Sequence, residues 1–348
     1  AGAASAQSSV TLFGGLDAMV GSYRNGDASV TKMNTSGLYS SRFGVRGVED
    51  LGGGLKAEFW LEAGINPDSG TGQGTTLNNQ AAAAGTGNAG LTFNRRSTVA
   101  LAGGFGEVRL GRDFTPGFRA VTEFDPFGTL GVAQGSNLSL TGTAPQTGVR
   151  ASNGIAYLWN DGGFGAVKPG FYAQAQYRLG ENASTAGATK NDGTGMGIRA
   201  GYAQGPLNLS AAYDESKIDA GAAGNKYKQV NVAGSYDLGV AKLQLQYNQN
   251  KTNTGLTYKI AQIGAQIPVG AGYIPVSYND LRSSNGTSVK ANVFGIGYVH
   301  NLSKRTSVYT SYANLSNKNG AAFGVSGGLA GVADKRSSGI EFGVKHSF

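Results

Sequence analysis

The chain has 348 residues, a formal net charge of +8 at pH 7, 58 glycines and no cysteine. Its length allows two ordinary domains or one large all-β domain. The lack of cysteine excludes a disulfide scaffold and thiolate metal sites, and the glycines lack the period of three that collagen requires. No apolar run is long enough to predict a transmembrane helix.

The first ten residues, AGAASAQSSV, contain a pattern typical of exported proteins. Ala4-Ser5-Ala6 has the small-x-small form that precedes signal cleavage. We interpret residues 1–6 as a signal-peptide remnant and Gln7 as the natural first residue, which implies export through the periplasm. A tag or cloning remnant at these six positions is the alternative.

From Val10 onward, apolar and polar residues alternate with a period of two, the pattern of a half-buried strand. After a first strand that includes Val10 to Val20, the same pattern occurs in Gly37–Leu51, Leu55–Ile65, Phe93–Gly103, Gly106–Arg112, Val149–Trp159, Val167–Leu179, Gly195–Gln204, Leu207–Lys217, Tyr227–Leu238, Val240–Thr252, Leu256–Pro268, Tyr273–Leu281, Val289–His300, Thr306–Leu315 and Ser337–Phe348. About sixteen strands of about ten residues predict an antiparallel transmembrane β-barrel over residues 7–348.

The connections between these strands alternate in length. Short ones include Gly103–Gly106, whereas long ones include Asn66–Thr92 and Asp113–Gly148. Outer-membrane barrels have short periplasmic turns and long extracellular loops, so we predict this topology. The last strand ends on the aromatic Phe348. We expect this strand to pair with the first one, so that Phe348 acts as a signal for barrel closure and assembly.

Six regions of the chain, in order, resemble the general diffusion porins of β-proteobacteria, in particular the anion-selective porins of comamonads. They are Ser8–Gly14, Ser40–Lys56 with Phe59–Glu62, Arg95–Leu101, Gly104–Asp113, Tyr298–Thr306 and the terminal Phe348. The resemblance implies a Gram-negative outer-membrane barrel, usually a homotrimer, whose third extracellular loop folds into the lumen. It also implies contact with outer-membrane lipid and lipopolysaccharide.

Arginines are the candidate pore residues. By alternation, five of them are predicted to point into the lumen: Arg42, Arg46, Arg109, Arg150 and Arg199. Two of these, Arg42 and Arg150, also match positions where the family that the chain resembles carries constriction arginines. The alternative is that the inward arginines are rim or turn residues paired with carboxylates.

A third constriction arginine of the family falls in the Arg95-Arg96 pair. The matching motif favours Arg95, whereas the outward positions of Val99 and Leu101 imply that Arg96 faces the lumen. A β-bulge would reconcile the two arguments. Both residues are therefore candidates.

The third long connection, Asp113–Gly148, is long enough to be functional rather than a simple turn. The resemblance implies that it narrows the pore and that its acidic residues, Glu123 and Asp125, face the basic wall. Phe124, Pro126 and Phe127 would then pack the loop against the barrel, and an exposed polar loop is the alternative. Since arginines outnumber these carboxylates, the expected selectivity is for anions.

The predicted function is passive diffusion of small anionic and neutral solutes. A substrate-specific channel for an organic acid is an alternative within the same fold, and an outer-membrane barrel enzyme or a soluble adhesin is an alternative of another class. His300 and His346 lie far apart, and no Ser/His pair falls on adjacent inward positions. We therefore expect no catalytic residue, metal or cofactor, and no nucleic-acid partner, because no recognition motif accompanies the basic charge.

Overall fold

The computed structural model describes residues 9–75, 79, 90–138, 147–161, 167–217, 226–252, 255–284 and 288–348. The predicted signal remnant and Gln7 lie outside these residues. None of the helices in the described ranges is long and apolar enough to cross a membrane.

The strand segments follow the chain with few interruptions. They are β1 (Ser9–Asn25), β2 (Ala28–Thr35), β3 (Arg42–Gly52), β4 (Leu55–Asn66), β5 (Thr71–Gly72), β6 (Arg96–Gly103), β7 (Gly106–Phe114), β8 (Arg150–Trp159), β9 (Gly170–Arg178), β10 (Gly195–Gln204), β11 (Leu207–Lys217), β12 (Lys226–Asp237), β13 (Lys242–Thr252), β14 (Thr257–Val269), β15 (Gly272–Ser284), β16 (Lys290–Asn301), β17 (Thr306–Lys318) and β18 (Ser337–Ser347). In the described parts of the loops lie one α-helix, α1 (Pro116–Glu123), and two short 3-10 turns, Gly135–Leu138 and Gly187–Thr189.

These segments form a closed antiparallel barrel of sixteen strands. Both β2 and β3 pair with β1, on its later and earlier residues respectively, so together they make one strand of the wall, and β5 is a two-residue addition to β4. The barrel closes where β18 pairs with β1, and Phe348 and Gly14 exchange two backbone hydrogen bonds of 3.1 and 3.2 Å. Closure leaves no unpaired edge in the sheet that the described strands form. The predicted fold class is confirmed, while the role of Phe348 in assembly stays a prediction.

The strands have an apolar outer face and a polar inner face. On β13, the exposed side includes Leu243, Leu245 and Tyr247, while Gln244 and Gln246 are buried on the other side. This order is the reverse of that in a soluble sandwich and is typical of membrane-spanning barrels, whose outer face contacts lipid and whose lumen holds water. Alternation in the sequence therefore indicates directly which side chains face the pore.

The second wall strand differs from its prediction. A single strand over Gly37–Leu51 is wrong, because residues 36–41 leave the wall between β2 and β3. The carboxylate of Asp17, buried on the inner face of β1, accepts hydrogen bonds of 2.6 Å from the backbone N–H groups of Leu38 and Tyr39. These two N–H groups therefore do not take part in hydrogen bonds between strands. β3 begins at Arg42, directly after this inward-folded segment.

In the connection between β7 and β8, the described residues 115–138 and 147–149 enter the barrel, and we call these residues the constriction loop. Thr115 caps α1 by accepting a hydrogen bond of 3.2 Å from the N–H of Phe118, and Pro116 occupies the first turn. Past the helix, the side-chain amides of Gln262 and Gln266 donate to the carbonyls of Phe124 and Pro126 at 3.0 and 2.7 Å. The barrel wall thus binds carbonyls that would otherwise lack partners. The predicted inward fold of the third loop is confirmed.

An apolar core holds the rest of the constriction loop against one side of the lumen. Val132 and Leu138 of the loop pack with Phe323 and Val325, which lie in the connection between β17 and β18. Inward side chains of β15 to β17, such as Leu281, complete this core. The strands that carry most of the candidate arginines, β3 to β8, lie across the barrel from it. The open part of the lumen is therefore on the arginine side.

Candidate functional site

A cavity of about 410 Å³ lies between the wall of β3 to β8 and the constriction loop. We call it the arginine cavity. It is lined by Arg42, Trp60, Glu62, Arg95, Arg96, Arg109, Asp113, Phe114, Arg119, Thr122, Glu123 and Arg150. Six guanidinium groups face three carboxylates in this space. The cavity therefore has a net positive charge.

Arg95 and Arg96 both line this cavity, for different reasons. β6 begins at Arg96, whose side chain shares the inner face with Thr98. Arg95 precedes the strand, so strand alternation does not determine its direction. Its Nε lies 2.6 Å from Oε1 of Glu62, while the Arg96 guanidinium lies 4.5 Å from the Trp60 ring centre. No bulge is needed at this position to bring both residues to the cavity.

A β-bulge does occur nearby, on the pairing of β7 with β8. The register shifts between Gly111 and Asp113, and Gly111 has a φ of +119°. Only glycine adopts such a backbone conformation without strain. The strand then continues two residues beyond the predicted end at Arg112, to Phe114. This extension brings Asp113 and Phe114 to the arginine cavity.

Glu62 is the central carboxylate of the cavity. Its Oε1 lies 3.1 Å from Nη1 of Arg42 and 2.6 Å from Nε of Arg95. Its Oε2 accepts a hydrogen bond of 3.0 Å from Nε1 of Trp60. The Arg42 guanidinium also lies over the ring of Tyr39, at 4.2 Å. One carboxylate therefore holds two arginines in place and neutralises the charge of only one.

Arg150 has a different environment. Its guanidinium lies 4.2 Å from the ring centre of Phe114, a cation–π distance. Among the residues that the structure describes, no carboxylate lies within ion-pair distance of Arg150. Its positive charge is thus held over an aromatic ring, with no carboxylate partner in the described part of the chain.

Arg109 lines the cavity within a compensated ion pair. Its Nε and Nη1 lie 2.7 and 2.5 Å from carboxylate oxygens of Glu107 and Asp113 on the same strand. Since two carboxylates contact it, Arg109 adds little net positive charge to the pore. Arg109 therefore contacts mainly other residues of the barrel wall.

Arg46 and Arg199 lie outside the lining of the arginine cavity. Arg46 lies over Trp60, at 5.1 Å from its ring centre, on the inner side of β3. Arg199 is fully buried beneath the constriction loop, where it forms ion pairs with Glu123 and with Asp161. The alternation of β10 accounts for its inward direction, but it contacts the loop rather than open pore.

The two acidic candidates of the constriction loop have different surroundings. Glu123 lines the cavity and also accepts a hydrogen bond of 2.8 Å from Nδ2 of Asn208. The expectation that Asp125 faces the basic wall is wrong, because its carboxylate accepts backbone N–H groups of Phe127, Thr129 and Gly135 at 3.0, 3.2 and 2.9 Å. Burial raises the pKa of Asp125, and these three donors offset part of that rise. Asp125 therefore stabilises the conformation of the constriction loop.

Replacing Asp125 by Ala should loosen the constriction loop. Three backbone N–H groups would lose their acceptor, and the expected loss of unfolding free energy is at least about 2 kcal/mol. Thermal unfolding in detergent would show the loss, and single-channel recordings should show noisier open currents. Asp27→Ala, at an exposed position between β1 and β2, is the control and should change neither. An unchanged midpoint and quiet currents in the Asp125 variant would contradict this role.

Several residues of the site were missed from the sequence. Arg119 comes from α1 and lines the cavity, and its Nη1 lies 2.9 Å from Oδ2 of Asp161, which follows β8. Glu62 and Asp113 were not proposed as site residues either. Alternation along β4 would have placed Glu62 inward beside Trp60, but nothing in the sequence indicates that Arg119 and Asp161 meet.

No reactive constellation is found in the described part of the chain. His300 contacts Tyr298 at 3.1 Å, and His346 contacts Thr306 at 2.9 Å, so the two histidines lie in separate places. No group of three or more His, Cys, Asp or Glu residues in these ranges could hold a metal ion.

Comparisons with known proteins agree with this architecture. The family model described as Gram-negative porin matches residues 1–320. The chain is 38% identical to outer membrane porin protein 32 of Delftia acidovorans, over 100% of this chain and 96% of that protein. It is 29% identical to an outer membrane porin protein of Bordetella pertussis, again over 100% and 96%.

Among solved structures, the anion-selective porin from Comamonas acidovorans superposes with a TM-score of 0.81 at 35% identity, covering 98% of this chain and 100% of that one. OmpT of Vibrio cholerae, solved in a trimer form, shares the fold alone, with a TM-score of 0.65 at 15% identity over 98% and 99%. The matching proteins are outer-membrane channels rather than enzymes, and the family match spans most of the barrel. The chain belongs to the Gram-negative porins and is a protein of the outer membrane.

Proposed function

We propose that this porin lets small hydrophilic solutes diffuse passively across the outer membrane, with a preference for anions. The observation that carries the proposal is the excess of guanidinium groups in the arginine cavity, six against three carboxylates. The anion selectivity stated for the similar Comamonas acidovorans porin supports it. Small neutral solutes would pass without electrostatic preference.

The preference follows from the potential in the narrow part of the lumen. At about 7 Å in a water-like dielectric, one unit charge changes the energy of a monovalent ion by about 0.6 kcal/mol, which is about threefold in local concentration. The excess of arginines over carboxylates in the lining therefore enriches anions and depletes cations. Because the lumen is filled with water, the ions keep most of their hydration and leave again, as conduction requires.

Arg42 and Arg150 have the largest part in this proposal. Arg42 shares its carboxylate with Arg95, and no carboxylate among the described residues pairs with Arg150. Contacts with Tyr39 and Phe114 hold their planar guanidinium groups and reduce the side-chain freedom that is lost when an anion binds. Glu123, on the opposite loop, would give the field a transverse direction.

The outer face of the barrel supports two further proposals. Large apolar side chains such as Leu12, Val99 and Ile263 are 59%, 57% and 60% exposed, as contact with outer-membrane lipid requires. We infer that lipid and lipopolysaccharide surround this face, and that three copies of the chain associate as a homotrimer. Crosslinking of the detergent-extracted protein, read on a gel without heating, tests the oligomeric state.

Reversal potentials in planar bilayers test the proposed selectivity. With a tenfold gradient of potassium chloride across the membrane, the sign of the reversal potential shows which ion is more permeant. We expect the sign that indicates chloride as the more permeant ion. Large ohmic current steps should accompany it. Cation preference would overturn the selectivity, and the absence of conductance from inserted, folded protein would overturn the open pore.

A further inference from the structure

A second cavity, of about 260 Å³, lies on the other side of the constriction loop, between this loop and strands β12 to β15. We call it the amide cavity. Its described lining includes no Lys, Arg, Asp or Glu, in contrast to the arginine cavity. Six side-chain amides supply most of its polar groups: Gln229, Gln246, Asn248, Asn250, Gln262 and Asn279.

Some of these amides bind protein groups. Gln246 donates from Nε2 to Oε1 of Gln262 at 2.8 Å, and Gln262 donates in turn to the carbonyl of Phe124 at 3.0 Å. Asn248 donates from Nδ2 to Oε1 of Gln246 at 3.0 Å. These contacts connect the wall with the end of α1 and form a fixed, polar floor for the cavity.

Two amides of the lining have polar atoms without a hydrogen-bond partner among the described residues. Asn279 is 1% exposed, and neither its Nδ2 nor its Oδ1 has a hydrogen-bond partner among the described residues. Asn250 is 4% exposed, and its Oδ1 likewise has none. A buried amide without a partner costs about 1–3 kcal/mol, so native proteins rarely leave one unsatisfied. These groups therefore call for a molecule in the cavity that both accepts and donates hydrogen bonds.

The lining also defines what that molecule is. A charged solute would lose its hydration without gaining a counter-ion, which opposes binding. Hydroxyl groups both donate and accept, and they match the two ends of the Asn279 amide. The sides of Phe118 and Ile260 offer apolar surface for C–H groups. One water needs only about 10–15 Å³ of such volume, so this cavity has room for a much larger molecule.

Gly135 packs closely against the unpartnered amide of Asn279. A Cβ atom at this position would lie 2.5 Å from Oε1 of Gln262 and 2.8 Å from Oδ1 of Asn279. Any larger residue would therefore press against these two amides and displace them. Gly135 is thus part of the lining of the amide cavity.

We propose that the amide cavity is a binding site for a small uncharged polyhydroxylated solute of about monosaccharide size. The site lies beside the route past the arginines, and its lining shares no residue with that of the arginine cavity. The proposal goes beyond anion-preferring diffusion and does not depend on it. The amide cavity can bind its solute even if reversal potentials show no anion preference. Equally, anion preference can be found even if the amide cavity binds no solute.

The test uses D-glucose as the probe, with the full-length protein in detergent and saturation-transfer NMR as the measurement. Glucose should bind, whereas gluconate, an anion of similar size, should not. Asn279→Leu removes both ends of the amide and should weaken glucose binding about tenfold, as expected for two lost hydrogen bonds. Its unfolding midpoint should not fall, since no protein hydrogen bond is removed.

Two further variants complete the test. Gly135→Ala should also weaken glucose binding, because its methyl group would displace the amides of Gln262 and Asn279. Gln174→Met is the matched control, since Gln174 is 3% exposed with an unpartnered Oε1 on β9, outside the cavity, and should bind glucose as the unmodified protein does. Absence of glucose binding, equal binding of gluconate, or full binding by folded Asn279→Leu protein would overturn the proposal.

Discussion

Replacement of both Arg42 and Arg150 by Ser should lower the anion-to-cation permeability ratio roughly fivefold. The arginine cavity would keep four guanidinium groups against three carboxylates instead of six against three. Each charge removed from the narrow lumen changes local ion concentration by about two- to threefold at the separations of a pore. Reversal potentials across a potassium chloride gradient measure the ratio directly. The shorter side chains should also raise the conductance.

Two control variants separate charge from shape. Arg150→Lys keeps the charge but loses the planar stack on Phe114, and it should retain most of the anion preference. Arg46→Ser removes a positive charge outside the lining of the cavity, and its effect should be much smaller. If the double variant kept the original ratio, or if Arg46→Ser lowered it equally, Arg42 and Arg150 would not set the selectivity.

Replacement of Glu62 by Gln should move selectivity in the opposite direction and also destabilise the barrel. Arg42 and Arg95 would lose the carboxylate that they share at 3.1 and 2.6 Å, and six guanidinium groups would face two carboxylates. Removing one partner of a buried ion pair costs about 3–5 kcal/mol, and access to water in the lumen should keep the loss near the lower end. Anion preference should rise about threefold.

The measurements are the thermal unfolding midpoint in detergent and the reversal potential, recorded on the same preparation. Glu49→Gln makes the same chemical change at an exposed position near the end of β3 and should alter neither quantity. Unchanged stability of the Glu62→Gln protein would mean that Arg42 and Arg95 bind other anions in place of the lost carboxylate. Lower anion preference would contradict the charge argument.

How far the candidate site could be predicted depended on strand regularity. Arg42 and Arg109 are paired residues of β3 and β7, and alternation placed them toward the lumen. Arg95 precedes β6, so the period of two could not place it, and only its contact with Glu62 explains its position. Asp125 was misplaced because the nearby N–H groups of its own loop, and not the wall, are its partners.

The sequence by itself determined that this protein is a closed barrel with polar residues inside, because strand alternation and the polarity of each strand face are local properties of each segment. It also determined the surplus of arginines. Only the tertiary structure decided which charges cancel. Arg95 pairs with Glu62 across 33 positions, and Arg199 pairs with Glu123 across 76. Such distant pairs depend on how the constriction loop folds into the lumen, and that fold rests on contacts from the whole barrel wall.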